Sequence, residues 1–87
     1  MPRYFFHVYQ DDRRVDDTEG TACRDLEEAK NYAVESAREL ANQAIGNGTP
    51  PSTLCLEIAD NMGRILAALT IAEVMENPGS PAFKQNC

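Results

Sequence analysis

Four of the six aromatic side chains in this chain fall within the stretch Arg3-Tyr4-Phe5-Phe6-His7-Val8-Tyr9. Alternation along a strand sends Tyr4, Phe6 and Val8 to one face and Phe5, His7 and Tyr9 to the other. Both faces then carry bulky apolar surface, and one helix packed on the strand covers only one of them. The second face is then covered either by the C-terminal segment, residues 71–75 with Phe83, folding back over it, or by a second copy of the chain.

At 87 residues a single domain is expected, and chains of this size bury only about 60–65% of the surface their unfolded forms expose. Hydrophobic content of 43% and charged content of 25% are globular values rather than those of a disordered chain. No segment approaches the length of apolar sequence that spans a bilayer, and the N-terminal region lacks a basic stretch followed by an apolar one. The expectation is therefore a cytoplasmic protein with no membrane partner. Cys23, Cys55 and Cys87 form no closely spaced pair, and an odd count suits reduced thiols, so no disulfide is expected.

The net charge is −6, and residues 11–39 hold ten acids against five bases. Arg3, Arg13, Arg14, Arg24, Arg38 and Arg64 are scattered among carboxylates instead of forming the basic stripe that nucleic acids need. Nucleic acid is accordingly excluded as a partner. Gly46, Gly48 and Gly63 belong to no phosphate-binding pattern, so no nucleotide cofactor is expected.

Turn chemistry punctuates the chain. Gln10-Asp11-Asp12-Arg13 reads as a turn, Arg14-Val15-Asp16 as a short returning strand, and Asp16-Asp17-Thr18-Glu19-Gly20 as a second turn. Asp25 followed by Glu28 predicts a helix start. Leu26, Ala29, Ala33, Ala37, Leu40, Ala41, Ala44 and Ile45 then recur at helical spacing, with Gly46 and Gly48 available as a cap. Thr49-Pro50-Pro51-Ser52 cannot continue that helix. Leu54, Leu56 and Ile58 alternate with Cys55, Glu57 and Ala59, and Asp60-Asn61-Met62-Gly63 turns the chain into a partner strand over 64–70. That strand is apolar on both sides, with Leu66 and Ala68 opposite Ile65 and Leu69. Residues 71–76 predict a short helix, and Asn77-Pro78-Gly79-Ser80-Pro81 opens a loose tail.

The fold expected is α+β: two layers, with one long helix on a mainly antiparallel sheet of three to four strands in the order hairpin, helix, hairpin. Residues 1–76 form the domain and 77–87 a flexible tail. The expected core is Tyr4, Phe6, Val8, Leu26, Ala29, Ala33, Ala37, Leu40, Ile45, Leu54, Leu56, Ile58, Ile65 and Leu69.

The opening Met1-Pro2-Arg3-Tyr4-Phe5-Phe6-His7-Val8 resembles the start of a family of short bacterial proteins, common in rhizobia and their relatives, known only as a domain of unknown function. Asp17 with Glu19-Gly20, Asp25-Leu26-Glu27-Glu28-Ala29, Leu56-Glu57-Ile58 with Asp60, and Gly63-Arg64-Ile65-Leu66 extend the resemblance over residues 1–75. It implies a compact hairpin, helix and hairpin and carries no activity with it. Leu69-Thr70-Ile71 departs from the family by lacking a proline that members carry after the last strand.

Chemistry-bearing residues are sparse. His7 is the single histidine and the obvious acid or base, yet no nucleophile sits at a recognisable spacing from it, so no catalytic residue is expected. Asp11, Asp12, Asp16, Asp17 and Glu19 offer oxygen ligands without the spacing of a calcium loop, and the cysteines with His7 offer zinc ligands without any local pair. No metal is expected. The apolar surplus points instead to a non-enzymatic interaction module that self-associates as a homodimer, or meets another protein, through Phe5, His7, Tyr9, Leu66 and Ala68 or through an edge strand. A small-ligand or metal sensor and an antitoxin-like regulatory partner are the alternatives.

Overall fold

The computed structural model describes residues 1–50 and 53–87. Pro51 and Ser52, in the run expected to break the helix, lie outside the described residues. The elements are β1 (Arg3–Gln10), β2 (Arg13–Val15), β3 (Thr21–Ala22), α1 (Leu26–Asn47), β4 (Leu54–Ala59), β5 (Ile65–Thr70) and α2 (Ile71–Glu76). The fold is α+β, as expected: an open antiparallel sheet in the order β2-β1-β4-β5, with β3 also pairing β1. Its five strands exceed the three to four predicted because β3, two residues long, has too little sequence to show a period.

β2 and β3 share one edge of β1. Val8, Tyr9 and Gln10 pair with Val15, Arg14 and Arg13, while Arg3 and Tyr4 pair with Ala22 and Thr21. Between these short ladders the Phe6 N–H donates to Asp17 Oδ2 at 3.1 Å. One carboxylate thus satisfies the backbone where the strand pairing lapses.

Helix α1 begins where its capping residues dictate. Asp25 is extended and its carboxylate accepts the Glu28 N–H at 2.9 Å, while Glu28 reaches back to the Arg24 N–H at 3.0 Å. Gly48, at φ 74°, ends the helix in the left-handed conformation, and the Thr49 N–H bonds the Ala44 carbonyl at 2.8 Å. Asp25→Ala is expected to cost about 1 kcal/mol in urea unfolding, the usual worth of an N-cap. An unchanged midpoint would show that the cap contributes nothing.

The residues of α1 that are fully buried are all alanines: Ala29, Ala33, Ala37, Ala41 and Ala44. Without larger side chains between them, helix and sheet lie close, and Tyr4, Phe6, Leu54, Leu56, Ile58, Ala67 and Leu69 fill the sheet side. Ile45 is a correction to the expected core, being 59% exposed. Ala44 takes the inward position in the last turn, and the next residue is rotated about 100° away. Val8, Leu26, Leu40 and Ile65 are half-buried at the margins.

Thr70, at the site of the absent proline, caps α2 by accepting the Glu73 N–H at 3.2 Å. Ile71 and Val74 then pack with Ala37, Ala41 and Ala44 on the helix side of the sheet, with Phe83 against the same cluster. Residues 71–75 and Phe83 therefore do not cover the second face.

Candidate functional site

The second face of the sheet is built row by row from strand register. Tyr9, Cys55 and Thr70 form one row, His7, Glu57 and Ala68 the next, and Phe5 stands opposite Ala59. Leu66 lies two positions before Ala68 on the outermost strand, at a bulge where Ala59 pairs with Ile65 and Leu66 has no cross-strand partner. Phe5, His7, Tyr9, Leu66 and Ala68, the candidate interface, are thereby brought together on one face. They differ in what they still present to solvent: Leu66 is 37% exposed, Phe5 and Tyr9 are half-buried, and His7 and Ala68 are buried at 9% and 0%.

Their cover comes from the chain itself. Residues 77–87, expected to be a flexible tail, contact the body of the domain at several points. Pro78 accepts from Arg38 at 2.7 Å, the Ala82 N–H donates to Glu73 at 2.9 Å, and the Phe83 ring lies under the Lys30 ammonium at 5.3 Å. Lys84 then joins the outer edge of β5, its N–H and carbonyl both bonded to Ala68 at 2.8 Å. Beyond it the chain crosses the second face, where Cys87 forms a disulfide with Cys55.

The disulfide overturns the expectation that all thiols are free. The two cysteines are 32 residues apart, and only strand register and the path of residues 83–87 bring their Cα atoms to 6.0 Å. Cys23 alone is free and is buried. Burial, with help from the Glu28 and Asp25 charges, pushes its thiol up, away from the nucleophilic thiolate.

Glu57 sits beneath this crossing at 5% exposure. Its Oε2 accepts the Cys87 N–H at 3.2 Å, and its Oε1 receives no hydrogen bond. A buried carboxylate with a single donor is incompletely satisfied. No sequence signal singled out Glu57, because its burial follows from residues far along the chain.

His7 faces Glu57 across the strands and is held from the other side by the acidic loop. The Asp17 N–H donates to His7 Nδ1 at 3.1 Å, and an Asp16 oxygen lies 3.7 Å from the same nitrogen. Nδ1 therefore acts as an acceptor in this arrangement. Asp17 organises the loop: Oδ1 accepts the Gly20 and Glu19 N–H groups at 3.0 and 3.2 Å, and Oδ2 accepts Phe6. Burial opposes ionisation of Asp17, but the Gly20, Phe6 and Glu19 donors outweigh it and hold the carboxyl below its ordinary value. Asp17 lies in the stretch that reads as a turn, and its Asx-type spacing to Gly20 is the available signal.

Tyr9, at the far end of the face, is capped by Arg14, whose guanidinium lies 5.5 Å over the ring and donates to the hydroxyl at 3.1 Å. Arg14 is in turn paired with Asp16.

Between the acidic loop and α1 runs a groove of about 690 Å³ with an apolar floor of Phe6, Leu40 and Leu56 and a rim carrying Asp16, Glu19 and Glu39. Tyr32, 44% exposed and 4.8 Å from the Phe6 ring centroid, forms its aromatic wall. Among the described residues no three His, Cys, Asp or Glu side chains are gathered to hold a metal ion, and no helix is long and apolar enough to cross a membrane.

No curated protein and no solved structure matches the chain. Residues 3–72 match the family described as Domain of unknown function (DUF6894), to which this chain therefore belongs.

Proposed function

We propose that the domain is a non-enzymatic interaction module that self-associates as a homodimer through the outer edge of β5 and the adjoining part of the second face. The observation that carries this reading is the character of β5. Ile65–Thr70 has no charge and no proline, lies last in the sheet order, and shows Leu66 to solvent. An edge strand without such residues is a template for strand addition wherever its hydrogen-bonding groups are free, and on β5 Lys84 occupies them at Ala68. Phe5 supplies further apolar surface on the same side.

Leu66→Lys puts a charge on that edge and is expected to weaken the dimer at least tenfold in sedimentation equilibrium, about 1.4 kcal/mol. Wild-type chain that stays monomeric to about 1 mM, under both oxidising and reducing conditions, sinks the reading. The same reading takes the protein to be cytoplasmic and bacterial, in line with the opening sequence resemblance. In such a compartment a disulfide is a reversible bond rather than a permanent staple.

A second reading, a small-ligand sensor, is favoured by the groove. Its carboxylate rim and the Tyr32 and Phe6 rings suit an amphipathic organic cation, which aromatic faces and negative charge both attract. A raised melting temperature with an amine panel, absent in Tyr32→Ala, supports that function; a flat panel removes it.

A further inference from the structure

We propose that residues 83–87 form a redox latch on the β5 edge: while Cys55 and Cys87 are joined, Lys84 holds the Ala68 hydrogen bonds that a second copy of the chain would take. Reduction frees them for strand pairing. The proposal rests on the association reading above and names its regulation.

The geometry of one residue supports it. The N–H and carbonyl of Ala68 both point to the outer edge of β5, and both are bonded to Lys84 at 2.8 Å. Such a reciprocal pair is the hydrogen-bonded pair of an antiparallel ladder. A two-fold axis beside Ala68 would set Ala68 opposite its symmetry mate with the same two bonds, and would bring Leu66, at the β5 bulge, to the Thr70 end of the second copy's strand. That contact is isologous and closed, and it brings no like charges together. Lys84 and a second copy therefore compete for one pair of hydrogen bonds.

The latch is weak without its covalent bond. Ala68 with Lys84 is an isolated bridge, flanked on neither side by further strand pairing. Past it, the Cys87 N–H to Glu57 is the hydrogen bond tying the crossing to the sheet. The disulfide holds this segment over the sheet at high effective concentration and so favours the internal pair over the intermolecular one. Phe83, partly buried against both core clusters, is the hinge point from which residues 84–87 leave.

The chemistry needs a dithiol reductant. One of its thiolates attacks the disulfide at the sulfur of exposed Cys87, forming a mixed disulfide and releasing Cys55 as a thiolate that takes up a proton. The second thiol of the reductant closes its own disulfide and expels Cys87, which is protonated in turn. Two electrons and two protons pass to the protein.

The test uses the full chain in sedimentation equilibrium, oxidised and with dithiothreitol, beside Cys87→Ser and Leu66→Lys. Thiol titration of the denatured oxidised chain should find one free thiol, Cys23; if Cys55 and Cys87 also titrate, the latch is overturned. Reduction and Cys87→Ser should each tighten the dimer at least tenfold, and Leu66→Lys should abolish that gain. Equal dimerisation with and without reductant overturns the latch while leaving self-association standing. Monomer under every condition removes the association reading and the latch together. A reduced Leu66→Lys chain that dimerises as tightly as reduced wild type overturns pairing at this edge. Far-UV circular dichroism follows the fold throughout, and unfolding on reduction also overturns the latch, which requires the opened domain to stay folded.

Discussion

Replacing Gly20 with alanine is expected to destabilise the domain by about 3 kcal/mol and to lower Tm by roughly 15 °C. Gly20 has φ +71°, where an L-residue pays about 1–2 kcal/mol. Space adds to that cost. A Cβ at this position would stand 2.8 Å from the Tyr4 carbonyl oxygen, 2.8 Å from Arg3 Cγ and 2.9 Å from the Phe5 ring. The Arg3 side chain can swing away, but Tyr4 is fixed by its pairing with Thr21 and cannot move without unzipping β3. Overpacking of this kind costs about 1–3 kcal/mol. Gly46→Ala is the control: nothing lies within 4 Å of its added Cβ and its φ is not positive. There alanine should stabilise by about 0.5–1 kcal/mol through helix propensity. A loss below about 1 kcal/mol at Gly20, measured by urea unfolding, would mean that the loop relaxes around the new methyl.

Features of this fold governed by near neighbours in the chain were readable in the sequence. The Asp25 cap, the alanine stripe of α1 and the Asp60–Gly63 turn between β4 and β5 depend on residues a few positions apart, and each lies where local chemistry puts it. The second face was recognised as a problem from Phe5, His7 and Tyr9, but its answer was not. Cys55 meets Cys87 because β4 is central and β5 is an edge around which the chain can turn, facts that belong to strand order. Glu57 read as the polar side of a half-exposed strand, and is buried because that same crossing lies over it. Asp17 looked like one acid among several. Its role depends on a gap between two short ladders, the second of which is too brief to recognise.

Asp17→Ala is expected to cost about 3 kcal/mol, because it leaves backbone donors of Phe6, Glu19 and Gly20 without their acceptor and a buried orphan costs about 1–3 kcal/mol. Water can serve the exposed Glu19 N–H, so most of the loss falls on Phe6 and Gly20. Asp17→Asn should lose about 2 kcal/mol, since its amide can present an oxygen to one side of the loop but must turn an NH₂ group toward a donor on the other. The charge leaves its own signature in pH. The Asp17 carboxyl is held below its ordinary value of 3.8 in the fold, so the unfolded chain binds the proton more readily. Its contribution is complete above 3.8 and is lost as pH falls through the lower value of the folded state. Asp60 is also held below 3.8, by its Arg64 and Met62 contacts, so acid sensitivity of the wild type alone does not isolate Asp17. The informative quantity is therefore the difference between wild type and Asp17→Asn, which should be largest near neutrality and shrink on acidification below pH 3.8. A difference that stays constant with pH would assign the loss to geometry alone and remove the charge from the account. If the difference shrinks as expected, His7 is held in its Nδ1-acceptor form by a loop whose order depends on one ionised carboxylate.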